Sequence, residues 1–208
     1  MPTASDGARV IVHLVPLGVV SIDLAAVEND PASLRPPGVM SCNSRYNLDG
    51  IVGYPSGDGL QSCYLQVFRD GAAEAVQVGY LHPRGNRGDS TGKELWLLPI
   101  ENVTVALFEQ FQRILGRAGY DGPAAAMLTI VGTRGARIGM LDLHRPPWEE
   151  KVTFDRDTLA LPDVLVERMD ADPRAYLRPT FDAMWQAGGM ARSAGYDAGG
   201  AWRVDRHR

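Results

Sequence analysis

The sequence predicts an α+β fold, in which a largely antiparallel sheet carries two main helices packed on one face. Three observations lead to this prediction. Strand-like runs and turn residues alternate over residues 44–75, which is typical of a β-meander. Residues 103–118 repeat apolar side chains at helical spacing. Two further strand-like runs, 124–131 and 136–143, flank a glycine-containing turn at 132–135 and predict a hairpin.

The meander follows from the spacing of its turn residues. Proline and glycine at 55–59, and the pair Asp70-Gly71, separate three runs rich in β-branched and aromatic residues. Asp-Gly between two strands predicts a two-residue type I′ turn, with Glu74 across from Arg69 or near it. The runs span residues 50–54, 62–69 and 72–78, and in the second of them Cys63, Leu65 and Val67 share one face.

The other elements rest on shorter signals. The nearly continuous apolar run RVIVHLVPL at 9–17 predicts a central strand, with His13 inside it. The first main helix is expected to begin after Asn102 and to stop before Gly119. Pro162 interrupts a strand at 159–166 and indicates an edge position or a bulge. A proline-rich loop is predicted at 30–38, a short turn at 173–177, and the second main helix at 179–187.

Length and charge set the limits on domain organisation and partners. The 208 residues are enough for one domain with its own core, predicted over residues 9–189. Residues 1–8 are expected to be a disordered leader, and the glycine-rich residues 190–208 a loosely ordered tail. A net charge of −4 gives no overall attraction to nucleic acid.

The cysteines and the hydropathy pattern predict a cytoplasmic protein. Cys42 and Cys63 are the two cysteines, too few for a disulfide framework or a CxxC…CxxC zinc site. No apolar run approaches the roughly 18 residues of a membrane span, and the first residues lack the apolar core of a signal peptide. We therefore predict no membrane association, no metal site and no cofactor.

A polar cluster at the start of the meander is the first candidate site. It consists of Arg45, Tyr46, Asn47 and Asp49. Two interpretations are open. The cluster could bind a ligand, or Asn47 and Asp49 could bond their own backbone at a strand start while Arg45 pairs with a carboxylate.

Basic side chains on two predicted loops form the second candidate site, for nucleic acid. Phosphate backbones attract lysine and arginine on such loops. Residues 88–94 look faintly like a phosphate-binding P-loop, but the glycine spacing is one residue short and Glu94 replaces the serine or threonine. The candidate nucleic-acid-binding residues are Arg84, Arg87, Lys93, Arg134 and Arg137.

Catalysis has weaker support in the sequence. A hydrolase needs a nucleophile and a base within hydrogen-bond reach, and neither a GxSxG elbow nor an HExxH helix is present. We therefore assign no catalytic residue. The candidate bases would be His13, His82 and His144, and the candidate nucleophiles Ser44, Ser62 and Cys63.

Several phrases in a fixed order resemble one bacterial family. They are VIVHLVPL, SRYNLDGIVGY, YLQVFRDGAAEAV, LPDVLVERMDADPRAYLRPTFDAMWQAGG and RSAGYDAGGAW, and together they extend over residues 9–202. This pattern resembles the C-terminal region of Schlafen-type AlbA-domain proteins, which carry DNA-binding or ATP-binding labels. In that family the AlbA-like segment, which holds the binding function, precedes this region and has no counterpart here.

The resemblance therefore implies an accessory role and no binding residue of this chain. It implies a non-catalytic domain that senses a ligand or docks a partner for a nucleic-acid-binding regulator. The partner would be another protein or the protein's own N-terminal domain. Direct nucleic-acid binding through the basic loops is the alternative, and a hydrolase is the third hypothesis.

Overall fold

The computed structural model describes residues 7–57, 63–83, 92–139 and 152–203. The fold is α+β, as predicted: the described residues form a main sheet of eight strands, a small sheet of three strands, and five helices. The strands are β1 (Arg9–Pro16), β2 (Cys42–Tyr46), β3 (Gly50–Pro55), β4 (Cys63–Phe68), β5 (Ala73–Val78), β6 (Leu81–Pro83), β7 (Lys93–Leu95), β8 (Ala124–Val131), β9 (Arg137–Ile138), β10 (Thr158–Ala160) and β11 (Val164–Val166). The helices are α1 (Leu24–Glu28), α2 (Pro31–Leu34), α3 (Leu97–Arg117), α4 (Pro173–Tyr176) and α5 (Arg178–Ala187).

The main sheet is antiparallel throughout. Its strand order is β10–β8–β1–β5–β4–β3–β2, and β11 also pairs with β8. The three-stranded meander predicted from the sequence is confirmed as β3 to β5, and β2, which the sequence did not predict, adds a further strand beside β3. Strand β1 lies between β8 and β5, so it is a central strand whose two edges are both paired, as predicted from its apolar sequence.

All five helices lie on one side of the main sheet, and the core lies between them and the sheet. On that side β1 buries Val10, Val12 and Leu14 completely, against a helix α3 that buries Phe108 and Phe111. Helices α4 and α5 pack in turn on α3. Each such side chain contributes roughly 1.5–3 kcal/mol when it leaves water, so the burial of this layer stabilises the fold.

Helix α3 begins six residues earlier than the sequence predicted. Its N-cap is Trp96, which makes no side-chain capping bond, and not Asn102. Pro99 lies in the first helical turn, where a backbone N–H has no helical partner to lose, so it does not stop the helix. The predicted C-terminal end is confirmed: the helix ends at Arg117, and Gly119 adopts a φ of +77°.

The turn between β4 and β5 is not the predicted type I′ turn. Gly71 has a φ of +84°, but the described residues include no non-glycine residue with positive φ, so Asp70 cannot provide the second such residue that type I′ needs. The Gly71 N–H donates to the Phe68 carbonyl at 3.1 Å, and the Phe68 N–H to the Ala72 carbonyl at 2.8 Å. These bonds define a three-residue loop with a bulge at the glycine.

The predicted hairpin between residues 124–131 and 136–143 is wrong. After β8, the Gly132 and Thr133 N–H groups donate to the Asp157 carbonyl at 2.8 and 3.1 Å, so this end of β8 bonds to the residue before β10 and not to the described residues of 136–143. Strand β9 instead pairs in parallel with β7 in the small sheet, and residues 140–143 lie outside the described residues. Strands β10 and β11 take the place beside β8.

The interruption at Pro162 is confirmed as both an edge and a bulge. The register of β10 pairs Thr158 with Val131, whereas that of β11 pairs Val164 with Ala126. The segment from β10 to β11 therefore contains one residue more than the stretch of β8 that it pairs with, which is a bulge. The break divides the predicted strand into two short edge segments.

Two further predictions need correction. The loop expected at 30–38 contains the short helix α2, whose N-cap Asp30 accepts a hydrogen bond from Ala32 N–H and which has proline in its first turn. Residues 190–203, expected to be loosely ordered, pack on the helices: buried Ser193 bonds to Glu101 of α3 and Asp182 of α5, and the buried Tyr196 hydroxyl donates to the Arg174 carbonyl of α4. The predicted turn and helix near 173–187 are confirmed as α4 and α5.

Candidate functional site: the open face of the main sheet

The side of the main sheet that faces away from the helices is the candidate site, and we call it the open face. Successive residues of a strand point to opposite sides of a sheet, so the odd-numbered residues of β1 lie on this face. Residues 9, 11, 13 and 15 are half-buried, whereas the even-numbered Val10, Val12 and Leu14 are fully buried under α3. His13, predicted to lie inside a buried strand, therefore lies on the open face.

A straight row of side chains crosses six neighbouring strands on the open face. The strand register makes each member the direct partner of the next, so that neighbouring Cβ atoms lie about 4.5–5.5 Å apart. The row contains an imidazole, a carboxylate, a carboxamide and a guanidinium among apolar residues. In strand order from β8 to β2 its members are Met127, His13, Glu74, Gln66, Val52 and Arg45.

Glu74 is the centre of a hydrogen-bonded cluster on this row. Its Oε2 lies 2.7 Å from His13 Nε2, and its Oε1 accepts a hydrogen bond of 2.5 Å from the Tyr64 hydroxyl. The hydrogen bond from His13 is the main reason that the pKa of Glu74 lies below its ordinary value; Tyr64 adds to the effect and burial opposes it. Burial, followed by the bond to Glu74, raises the pKa of Tyr64. The cluster thus holds an ionised carboxylate on a half-buried surface.

This cluster replaces the predicted contact between Glu74 and Arg69. The Arg69 Nε donates instead to the Leu48 carbonyl at 3.2 Å, at one end of the sheet. Glu74 on β5 lies directly opposite Gln66 on β4 and, on its other side, His13 on β1. The sequence carries no signal for this arrangement, because 61 residues separate His13 from Glu74.

The polar cluster at the start of the meander divides between the two sides of the sheet. Arg45 lies on the open face, where its guanidinium sits 5.8 Å from the centre of the Tyr54 ring and not beside the carboxylate expected from the sequence. Tyr46 points to the helix side and donates a hydrogen bond of 2.7 Å to Glu28 of α1. The set therefore does not converge on one site.

Asn47 confirms the turn-forming interpretation of that cluster. Its Oδ1 accepts hydrogen bonds from the Asp49 and Gly50 N–H groups at 3.1 and 2.8 Å. Asn47 and Gln66 also exchange two side-chain hydrogen bonds, of 3.0 and 3.1 Å, which fixes the orientation of Gln66 on the open face. Asp49 contributes its backbone carbonyl to the Arg69 N–H at 3.0 Å.

The basic residues proposed for nucleic acid do not form one surface among the described residues. Arg84 and Arg87 lie outside the described residues. In the parallel register of β7 and β9, Arg137 lies opposite Glu94 on one side of the small sheet. Lys93, the residue before Glu94, therefore points to the other side. Arg134 is exposed in the turn before β9.

The catalytic candidates are also separated. Ser44 and Cys63 both lie on the helix side of the main sheet, opposite to His13, and Ser62 and His144 lie outside the described residues. His82 stacks on Trp96 with ring centres 4.0 Å apart. Within the described ranges no group of three or more His, Cys, Asp or Glu side chains is arranged to hold a metal ion.

Two further searches, for a membrane-spanning helix among the described residues and for similar proteins, gave no match. None of the helices in the described part combines the length and apolar character needed to cross a membrane. Comparison of the chain with protein-family models, with curated proteins and with solved structures finds no match.

Proposed function

We propose that this chain is a non-catalytic accessory domain that docks a protein partner on its open face. The observation that supports the proposal is the apolar character of that face. An antiparallel sheet with one face in water alternates strictly between apolar and polar residues. On the open face, however, the central strands carry half-buried apolar side chains: Ile11, Val76, Val78, Met127 and Val131.

Partly exposed apolar side chains gathered on one face of a sheet are typical of an interface, and the strand register places them beside Arg9, Thr129, His13 and Glu74. The polar row across it adds the few oriented donors and acceptors that an interface uses for specificity. His13, Glu74 and Gln66 are held in place by their hydrogen bonds, so a partner would meet a preorganised surface. The resemblance of the sequence to the C-terminal region of Schlafen-type AlbA-domain proteins supports a partner that is a nucleic-acid-binding regulator or its AlbA-like domain.

Direct nucleic-acid binding is less well supported. The net charge is −4, and among the described basic residues Lys93 and Arg137 point to opposite sides of the small sheet. The two positive side chains Arg9 and Arg45 lie on different strands of the open face, with Glu74 between them in the sheet. A phosphate backbone needs a continuous positive surface.

Site-specific photo-crosslinking tests the proposal. A benzophenone amino acid at Val76 on the open face is expected to crosslink to one defined protein in cells that express the complete gene product. The matched control places the same group at Arg113, an exposed position of α3 on the helix side. Equal labelling from both positions, or none from Val76, would contradict the proposal.

The nucleic-acid alternative has its own measurement. Fluorescence anisotropy with a labelled duplex and a labelled single strand, at low and moderate salt, is expected to show no binding that depends steeply on salt. Affinity that falls about a thousandfold across that range would favour a phosphate-contacting surface instead.

A further inference from the structure

Among the described residues, strand β10 is an edge strand of the main sheet, and one side of its backbone is not paired with another strand. The Leu161 N–H donates to the Leu128 carbonyl at 3.1 Å, and the Asp157 carbonyl accepts from the Gly132 N–H at 2.8 Å. In an antiparallel ladder every second residue bonds to the neighbouring strand, so 157, 159 and 161 face β8. The N–H and carbonyl groups of Thr158 and Ala160 therefore point away from the sheet, and no described residue bonds to them.

A groove runs along this free edge. Its volume is about 680 Å³, which is within the range of binding clefts. Thr158 and Ala160 form one wall, and Ala183 and Ala187 of α5 form part of the opposite wall. The small alanine side chains leave the space between strand and helix open.

We propose that this groove binds an extended polypeptide segment, which adds to the main sheet as a further strand beside β10. Unpaired N–H and carbonyl groups at alternate residues are the pattern that an extended chain satisfies. Alternate side chains of the segment would point toward Ala183 and Ala187, where apolar β-branched residues fit.

The charge of the groove supports a peptide over a charged ligand. Asp155 and Arg156, the two charged residues of its lining, lie side by side with 3.9 Å between Arg156 Nε and an oxygen of Asp155. Their opposite charges cancel, so the groove presents a neutral surface, complementary to an uncharged strand. The groove lies along the edge of the sheet toward α5, and the proposal does not depend on docking on the open face.

The probe is a fluorescein-labelled peptide of alternating threonine and valine, acetylated and amidated. It is expected to bind with a Kd below about 1 mM, and to slow amide hydrogen exchange at Thr158 and Ala160. Two control peptides carry N-methyl groups on every valine or on every threonine. Since one edge of the peptide pairs with β10, one control should lose binding and the other should keep it.

Protein variants identify the site. Ala160→Pro removes the outward N–H while the bonds to β8 come from residues 159 and 161, so the ladder should persist. Peptide affinity is expected to fall at least about tenfold. The matched control Ala160→Val keeps the N–H and should bind within about twofold of the native chain.

Three results would overturn the proposal: no binding at about 1 mM peptide, equal binding of both methylated peptides, or an Ala160→Pro variant that binds like the native chain. If Ala160→Pro does not fold, Ala187→Phe provides the decision, because it fills the groove from the opposite wall. Undiminished binding by a folded Ala187→Phe variant would equally refute the site.

Discussion

Replacement of the buried Glu101 by glutamine should change how stability depends on pH. Glu101 lies in α3 with no exposed surface, beneath α5 and the segment 190–203. Its Oε1 accepts hydrogen bonds of 2.6 Å from Trp185 Nε1 and from Ser193 Oγ, and its Oε2 has no partner among the described residues. Burial raises the pKa of this carboxyl group to about 7, with Asp182 adding to the effect and the two hydrogen bonds opposing it.

The size of the effect follows from the difference in pKa between the folded and unfolded chains. Between pH 4.5, the ordinary value, and about pH 7, the unfolded chain has released this proton while the folded chain still holds it. The free energy of unfolding therefore falls as pH rises through this window. At about 1.4 kcal/mol per pH unit the full effect is roughly 3 kcal/mol, of which roughly 2 to 3 kcal/mol lies between about pH 5 and about pH 8.

Glutamine cannot ionise, and its carbonyl oxygen can still accept the bonds from Trp185 and Ser193. The Glu101→Gln variant should thus gain roughly 2 to 3 kcal/mol relative to the native chain between about pH 5 and about pH 8. Urea unfolding at both pH values, with the slope m unchanged, gives this difference. Taking the difference cancels the contributions of the other carboxylates.

The control is Glu167→Gln, which alters an exposed carboxylate and should leave the difference near zero. A constant difference between Glu101→Gln and the native chain at the two pH values would refute the reasoning, because it would mean that Glu101 ionises equally in both states.

Two other predictions concern backbone packing and the open face. Gly53→Ala should destabilise the chain by about 3 kcal/mol, because an added Cβ would collide with the backbone carbonyl of Leu34, whereas Gly116→Ala, in an open part of α3, should stabilise it by about 0.5–1 kcal/mol. Thermal and urea unfolding measure both, and equal effects would contradict the packing at Gly53. Because the pKa of Glu74 in the folded chain lies below 4.5, its cluster stabilises the fold above that pH, and this contribution is lost in acid. The Glu74→Gln variant should therefore lose less free energy of unfolding than the native chain between about pH 5 and about pH 3. An identical loss in the two proteins would count against the cluster.

Sequence patterns sufficed where structure is set locally. The alternation in the meander predicted β3 to β5, and the helical spacing up to Gly119 predicted the C-terminal end of α3. The start of α3 was missed because Trp96 is a poor N-cap, chosen by the packing around it and not by its own propensity. Local signals define elements more reliably than their ends.

The pairing of distant strands could not be read from local signals. The turn at 132–135 has the composition of a hairpin turn. The N–H groups of Gly132 and Thr133 nevertheless donate to the Asp157 carbonyl, which is more than twenty residues away in the sequence. The cluster of His13, Tyr64 and Glu74 was likewise hidden, since it depends on β1 lying next to β5. Which strands become neighbours is a property of the whole sheet.

The sequence of β1 nevertheless bears on the partner. A run that is apolar at nearly every position is typical of a strand buried on both faces. Helix α3 covers one face of β1, and the other carries Ile11 and His13 on the open face, with every described helix on the opposite side. The apolar sequence of β1 and the half-buried open face are thus the two observations from which we propose a docked partner on that face.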